Sequence, residues 1–107
     1  MFILARKPHF ARKLKKILKK DRHLTTIIQT ALYLLAENPL DSRLRSHKVI
    51  SRNGDKAFSS YVTGDLRIIW RYGGIEEYHT EDSIEHLQIL ELIDIGGHEG
   101  SDKVYKT

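Results

Sequence analysis

The chain predicts an α+β domain, in which an N-terminal strand and a helical hairpin pack on one face of a mostly antiparallel four- to five-stranded sheet. Three observations carry that expectation. Apolar residues recur at helical spacing through the first third of the chain, alternate after Pro39, and are punctuated there by Asn-Gly and Gly-Asp turns. A strand and two helices followed by a meander of strands place both helices on one sheet face and leave the other for function. At 107 residues, the whole chain 1–107 reads as one domain, large enough to bury about two-thirds of its unfolded surface.

The elements follow in order. Phe2 to Leu4 reads as a strand, and Lys7-Pro8 as a helix start, where a missing N–H is harmless. Phe10, Leu14, Ile17 and Leu18 form the stripe of an amphipathic helix whose other face is lysine-rich. Asp21 is placed to cap a second helix, with stripe Leu24, Ile27, Ile28, Ala31, Leu34 and Leu35, and Asn38-Pro39 ends it. Strands are expected at Leu44 to Ile50, Ala57 to Val62, Leu66 to Tyr72 and His86 to Ile95, with hairpin turns at Asn53-Gly54 and Gly64-Asp65. Gly73 to Glu85 is polar and acidic and reads as a mobile loop. The last strand runs into Gly96-Gly97, expected to turn and present His98.

Composition limits the functions available. There is no cysteine, hence no disulfide and no thiolate metal site. Met1 to Leu4 is too short for a signal-peptide core and nothing later approaches a membrane span, so a cytoplasmic protein without a membrane partner is expected. Net charge is +4, but nine of the 18 Lys and Arg residues fall between Arg6 and Arg22, whereas none lies between Arg71 and Lys103. A basic face opposed to an acidic edge suits a polyanionic partner, and also describes an ordinary solvated helix.

Alternation along Asp65 to Tyr72 assigns Leu66, Ile68, Trp70 and Tyr72 to the helix-covered core. It sets Asp65, Arg67, Ile69 and Arg71 on the open face, with a carboxylate and a guanidinium side by side. His47 lies on the first strand of the meander and His98 follows the last, so His47, Asp65, Arg67 and His98 can converge. That inventory serves RNA phosphodiester cleavage: a base for the ribose 2′-hydroxyl, an acid for the leaving 5′-oxygen, and a cation for the phosphate. It requires no metal or other cofactor. A surface ion pair accounts equally for Asp65 and Arg67 taken alone. His79, Asp82 and His86 gather as metal ligands only if their loop folds back, and a solvated acidic loop is the simpler reading.

Leu44-Arg45-Ser46-His47, Phe58 to Val62 followed by Asp65 to Trp70, and Ile95-Gly96-Gly97-His98 with Ser101, Val104 and Tyr105 resemble the RelE/ParE superfamily of bacterial type II toxins. The closer similarity is to the RelE/StbE and YafQ-like mRNA interferases. The resemblance implies a RelE-like fold and a toxin neutralised by a cognate antitoxin in a hetero-oligomer, cutting mRNA on the ribosome with contacts to 16S rRNA. It implies acid/base roles for His47, Asp65 and His98, phosphate stabilisation by Arg67, and a place for Tyr105 near the scissile phosphate. Tyr61 stands where YafQ-like toxins have another histidine. Arg12, Lys15, Lys16, Lys19, Arg45, Lys48, Lys56 and Tyr61 are the expected RNA contacts. The alternative is a non-catalytic, ParE-like inhibitor of DNA gyrase on the same scaffold.

Overall fold

The computed structural model describes residues 1–51, 54–97 and 105–106. Its elements are β1 (Ile3–Arg6), α1 (Pro8–Lys20), α2 (Leu24–Glu37), a 3-10 turn (Ser42–Leu44), β2 (His47–Ser51), β3 (Lys56–Tyr61), β4 (Leu66–His79), β5 (Ile84–Gly97) and β6 (Tyr105–Lys106). They form one six-stranded sheet in the order β1-β5-β4-β3-β2-β6. β1 runs parallel to β5, and every other pair is antiparallel. The expected α+β architecture is thus present, with the two-residue β6 added at the β2 edge.

Pro8 opens α1, and the preceding Lys7 backbone N–H donates to Leu92 O, which ties the helix start to β5. Asp21 does not cap α2 as expected. Its Oδ1 accepts from His23 N at 3.0 Å within the turn, and the first N–H groups of α2 reach the carbonyls of Asp21 and Arg22 instead. Phe10, Leu14, Ile28 and Leu35 from the helices bury against Ile68, Trp70, Leu90, Leu92 and Ile95 from the sheet. Each large side chain removed from water contributes about 1.5–3 kcal/mol.

Trp70 stacks on Phe58 at 4.6 Å between ring centroids. Its Nε1–H donates to Ser60 Oγ (2.7 Å), Ser60 and Ser46 share a hydroxyl bond (2.7 Å), and Ser46 donates to Pro39 O (2.6 Å). Because Pro39 O can only accept, the chain has one direction: Trp70 to Ser60, Ser60 to Ser46, Ser46 to Pro39. This buried relay pins the start of β2, one residue before His47.

Four expectations change. The first meander strand begins at His47, not Leu44, because Asp41 accepts from Arg43 N and Arg45 takes φ 46°, which closes a 3-10 turn ahead of it. Gly73 to Glu85 is not a loop. β4 and β5 continue pairing to His79 and Ile84, and Thr80 and Ser83 close the hairpin through a 2.9 Å backbone bond. A bulge interrupts the ladder between Tyr72 and Ile75; a Cβ on Gly73 there would come within 3.2 Å of the Ile89 and Glu91 side chains. Gly96 and Gly97 are extended residues of β5 rather than a turn. Finally, the second sheet face is partly closed, since Val49, Ala57 and Ile69 are buried in a small cluster on it.

Candidate active site

The β3–β4 turn builds the site. Thr63 N donates to Leu66 O and Leu66 N to Thr63 O, while Thr63 Oγ1 accepts from the N–H groups of Asp65 and Leu66. This leaves Asp65 exposed at the tip and brings Arg67 onto β4 opposite Tyr61 of β3 and Gly96 of β5. Arg67 Nη1 donates to Thr63 O at 2.6 Å, so turn carbonyls fix one nitrogen of the guanidinium. Among the described residues no carboxylate pairs with it, and the side-by-side Asp65–Arg67 ion pair does not form. The remaining donors of the half-buried guanidinium are available to an anion.

Tyr61 holds a second cation. The Arg67 and Arg45 guanidinium carbons lie 5.1 and 5.2 Å from the centroid of its ring. Two like charges share one aromatic partner, at an attraction of about 0.5–1 kcal/mol each. Arg45 reaches it from backbone in the left-handed region, φ 46°, which disfavours a non-glycine residue by about 1–3 kcal/mol and is retained where surrounding structure over-determines it.

His47 is exposed and opposite Ser59, on the face that carries Tyr61 and Arg67. Its Nδ1 lies 3.1 Å from Arg45 O. A carbonyl only accepts, so Nδ1 carries the hydrogen of this contact, and in the neutral ring the lone pair then lies on Nε2. His47 stands two strands from Arg67, about 10 Å across the sheet, which leaves room for a substrate group between them. β5 ends at Gly97 beside Leu66, and the Asp65 carbonyl oxygen lies 3.4 Å from where a Gly97 Cβ would be. His98 lies outside the described residues. Tyr105 pairs with Ser51 at the far end of β2, about 13 Å along the strand from His47, so the register does not bring its backbone to the Arg67 group.

The basic residues separate into distinct regions. Arg12, Lys15, Lys16 and Lys19 are exposed on α1, across the sheet from Arg67. Lys48 and Lys56 share the face of Phe58, whose ring packs toward the helices, and so also lie opposite His47. Arg45 and Tyr61 alone of the expected RNA contacts join Arg67. His79 and His86 meet at Glu77 (3.6 and 3.2 Å) rather than at Asp82.

Two carboxylates that serve the scaffold were not singled out from sequence. Asp94 receives Lys13 at 2.8 Å and His9 at 3.2 Å from α1, just beyond the end of β1. Glu91 receives Lys7 at 2.7 Å and Arg71 at 2.9 Å, and these two cations hold its carboxyl below the ordinary range. The acidic member of each set alternates with apolar core residues on β5, a signal visible in Leu90 to Ile95. No helix among the described residues is long and apolar enough to cross a membrane.

Neither the family models nor the curated proteins include a match to this chain. Solved structures do. A YoeB/ParE toxin from Agrobacterium tumefaciens superimposes with a TM-score of 0.66 at 15% identity, over 91% of this chain and 99% of the other. YafQ from E. coli strain BL21(DE3) gives 0.63 at 15% identity, over 94% and 97%. A copper-bound mutant toxin from Helicobacter pylori gives 0.59 at 18% identity, over 94% and 98%. Near-complete coverage in both directions means that the likeness extends over almost the whole chain, which has the fold of the RelE/ParE toxin superfamily.

Proposed function

We propose that this chain is the toxin of a toxin–antitoxin pair and a metal-independent endoribonuclease that cleaves mRNA on the ribosome in the cytoplasm. The observation that carries the reading is the pair of guanidiniums, Arg67 and Arg45, gathered on Tyr61 without a carboxylate partner among the described residues, on the same face as a histidine with a free Nε2. His47 Nε2 takes the ribose 2′-hydroxyl proton. The oxygen attacks phosphorus, and Arg67 and Arg45 stabilise the added charge. His98, following the end of β5, returns a proton to the leaving 5′-oxygen, and the Asp65 carboxylate orients a donor. The products are a 2′,3′-cyclic or 3′-phosphate and a 5′-hydroxyl. An antitoxin neutralises the protein by covering this face or the basic α1.

The test is cleavage of ribosome-bound and free RNA, with mapping of the new ends. Full activity in EDTA and 5′-hydroxyl ends support the reading. Cleavage of a strand whose scissile nucleotide is 2′-O-methylated overturns the mechanism. Growth arrest with no new RNA ends assigns the fold to the ParE-like gyrase-inhibitor alternative.

A further inference from the structure

Beyond the bulge at Gly73, β4 and β5 leave the body as a two-stranded arm. β3 pairs with β4 only as far as Trp70, and β1 pairs with β5 only from Ile89 onward, so no strand among the described residues pairs with either edge of the arm. Ile84, His86 and Gln88 continue the face of Leu90 and Leu92, which the helices cover in the body. No helix covers them in the arm: Ile75 and Ile84 are 67% and 55% exposed. A sheet face with exposed isoleucines is an unfinished packing surface.

The occupant is indicated by charge and shape on this same chain. The arm carries Glu76, Glu77, Glu81, Asp82 and Glu85 and no Lys or Arg. Two arms pairing edge to edge would set these charges against one another, which disfavours that association. α1 is the opposite: Lys16, Lys19 and Lys20 are exposed and, among the described residues, without an acidic partner. With Ile17 they line a hollow of about 500 Å³. Lysine stems and an isoleucine make its wall apolar beneath a cationic rim, complementary to Ile75 and Ile84 with Glu77 on the same arm face and Glu81 and Asp82 at its tip, while Glu76 and Glu85 lie on the other face. The dipole at the last turn of α1 also favours a cation at Lys19 and Lys20.

We infer that the β4–β5 arm of one copy docks over the C-terminal half of α1 of a second copy, each giving one arm and receiving one. The exchange closes as a two-fold dimer. Ile75 and Ile84 enter the hollow, and Glu77, Glu81 and Asp82 meet the lysine rim. The inference does not depend on the nuclease reading, because it uses neither His47 nor Arg67.

Sedimentation velocity on the full chain tests it with two charge-reversed variants, an arm variant (Glu77→Lys, Glu81→Lys, Asp82→Lys) and a helix variant (Lys16→Glu, Lys19→Glu, Lys20→Glu). Wild type should dimerise at low salt, with a dissociation constant raised about tenfold or more at about 0.5 M salt. Each variant alone should be monomeric, because its arm and helix carry the same sign. Their equimolar mixture should form a heterodimer, because both contacts are then between opposite charges. Ile84→Asp, a change at an exposed site, should weaken the wild-type dimer without a mixing partner. A monomeric wild type at about 0.1 mM protein and low salt, or variants that remain monomeric when mixed, overturns the inference.

Discussion

Removing the Arg67 side chain tests chemistry and stability through separate readouts. In Arg67→Ala the protein loses the 2.6 Å bond to Thr63 O and the contact 5.1 Å from the Tyr61 ring centroid. A charged hydrogen bond and a surface cation–π contact together are worth about 2–4 kcal/mol to folding. A domain of ordinary stability, about 5–15 kcal/mol, remains mostly folded after that loss. The catalytic effect is read on the folded fraction: losing one preorganised contact to developing phosphate charge lowers its turnover by about 100- to 1000-fold. Single-turnover cleavage of ribosome-bound mRNA reads the chemical step directly, and thermal melting of the same sample reads the fold. Arg67→Lys should not restore the rate, because a compact ammonium lacks the planar fork with which a guanidinium holds Thr63 O by one nitrogen and faces the phosphate with the others. A folded Arg67→Ala protein that cleaves at the wild-type rate would refute the assignment and make the Arg67–Tyr61–Arg45 group a structural feature of the turn.

Ser60→Ala leaves the Trp70 Nε1–H, at a residue with no exposure, without its acceptor. The expected loss is about 1–3 kcal/mol, checked by chemical denaturation followed through the single tryptophan. Glu91 supplies a pH dependence. Its folded carboxyl is held below the ordinary range by Lys7 and Arg71, so its contribution is present above the unfolded pKa and lost as pH falls through the lowered folded value. Glu91→Gln should therefore lower stability at neutral pH and flatten the decline on acidification, and an acid limb identical to wild type in pH-dependent melting would contradict this.

The helices were legible because each needs only its own stripe: Phe10 and Leu14, then Ile28, Ala31 and Leu35, are buried as expected, although Ile27 of the second stripe is exposed and Leu32, outside it, is buried. β4 was legible as far as Trp70 for the matching reason, alternation against one covered face. Alternation ceases to report once both faces meet solvent, and so the arm of Ile75 to Ile84 read as a loop; the β-formers Ile75, Tyr78 and Ile84 around a short Thr-Glu-Asp-Ser turn were its remaining signal. At the site, Arg67 and His47 fell on the expected face, because parity along a strand determines it. Their partners were not legible. Arg67 turns to a backbone carbonyl and Tyr61 gathers two arginines, and neither follows from spacing within one strand. The distance of Tyr105 from His47 depends on which edge β6 joins, a matter of topology rather than local pattern.

The parallel pairing of β1 with β5 has a consequence for the order in which the protein is made. Ile3 pairs with Ile89 and Arg6 with Leu92, so β1 finds its strand partner only after α1, α2, β2, β3 and β4 have been made. Until then Phe2 can donate its N–H to Ala36 O of α2, but the sheet side of the core that Phe2 and Leu4 pack against is incomplete. Closing so long a loop for so short a strand is a slow, late event. The helical hairpin and the β2–β3–β4 meander can form earlier from local contacts, but the core closes last, and a nascent chain stalled before β5 holds an incomplete domain. Whatever needs the whole sheet is thereby withheld until β5 has been made.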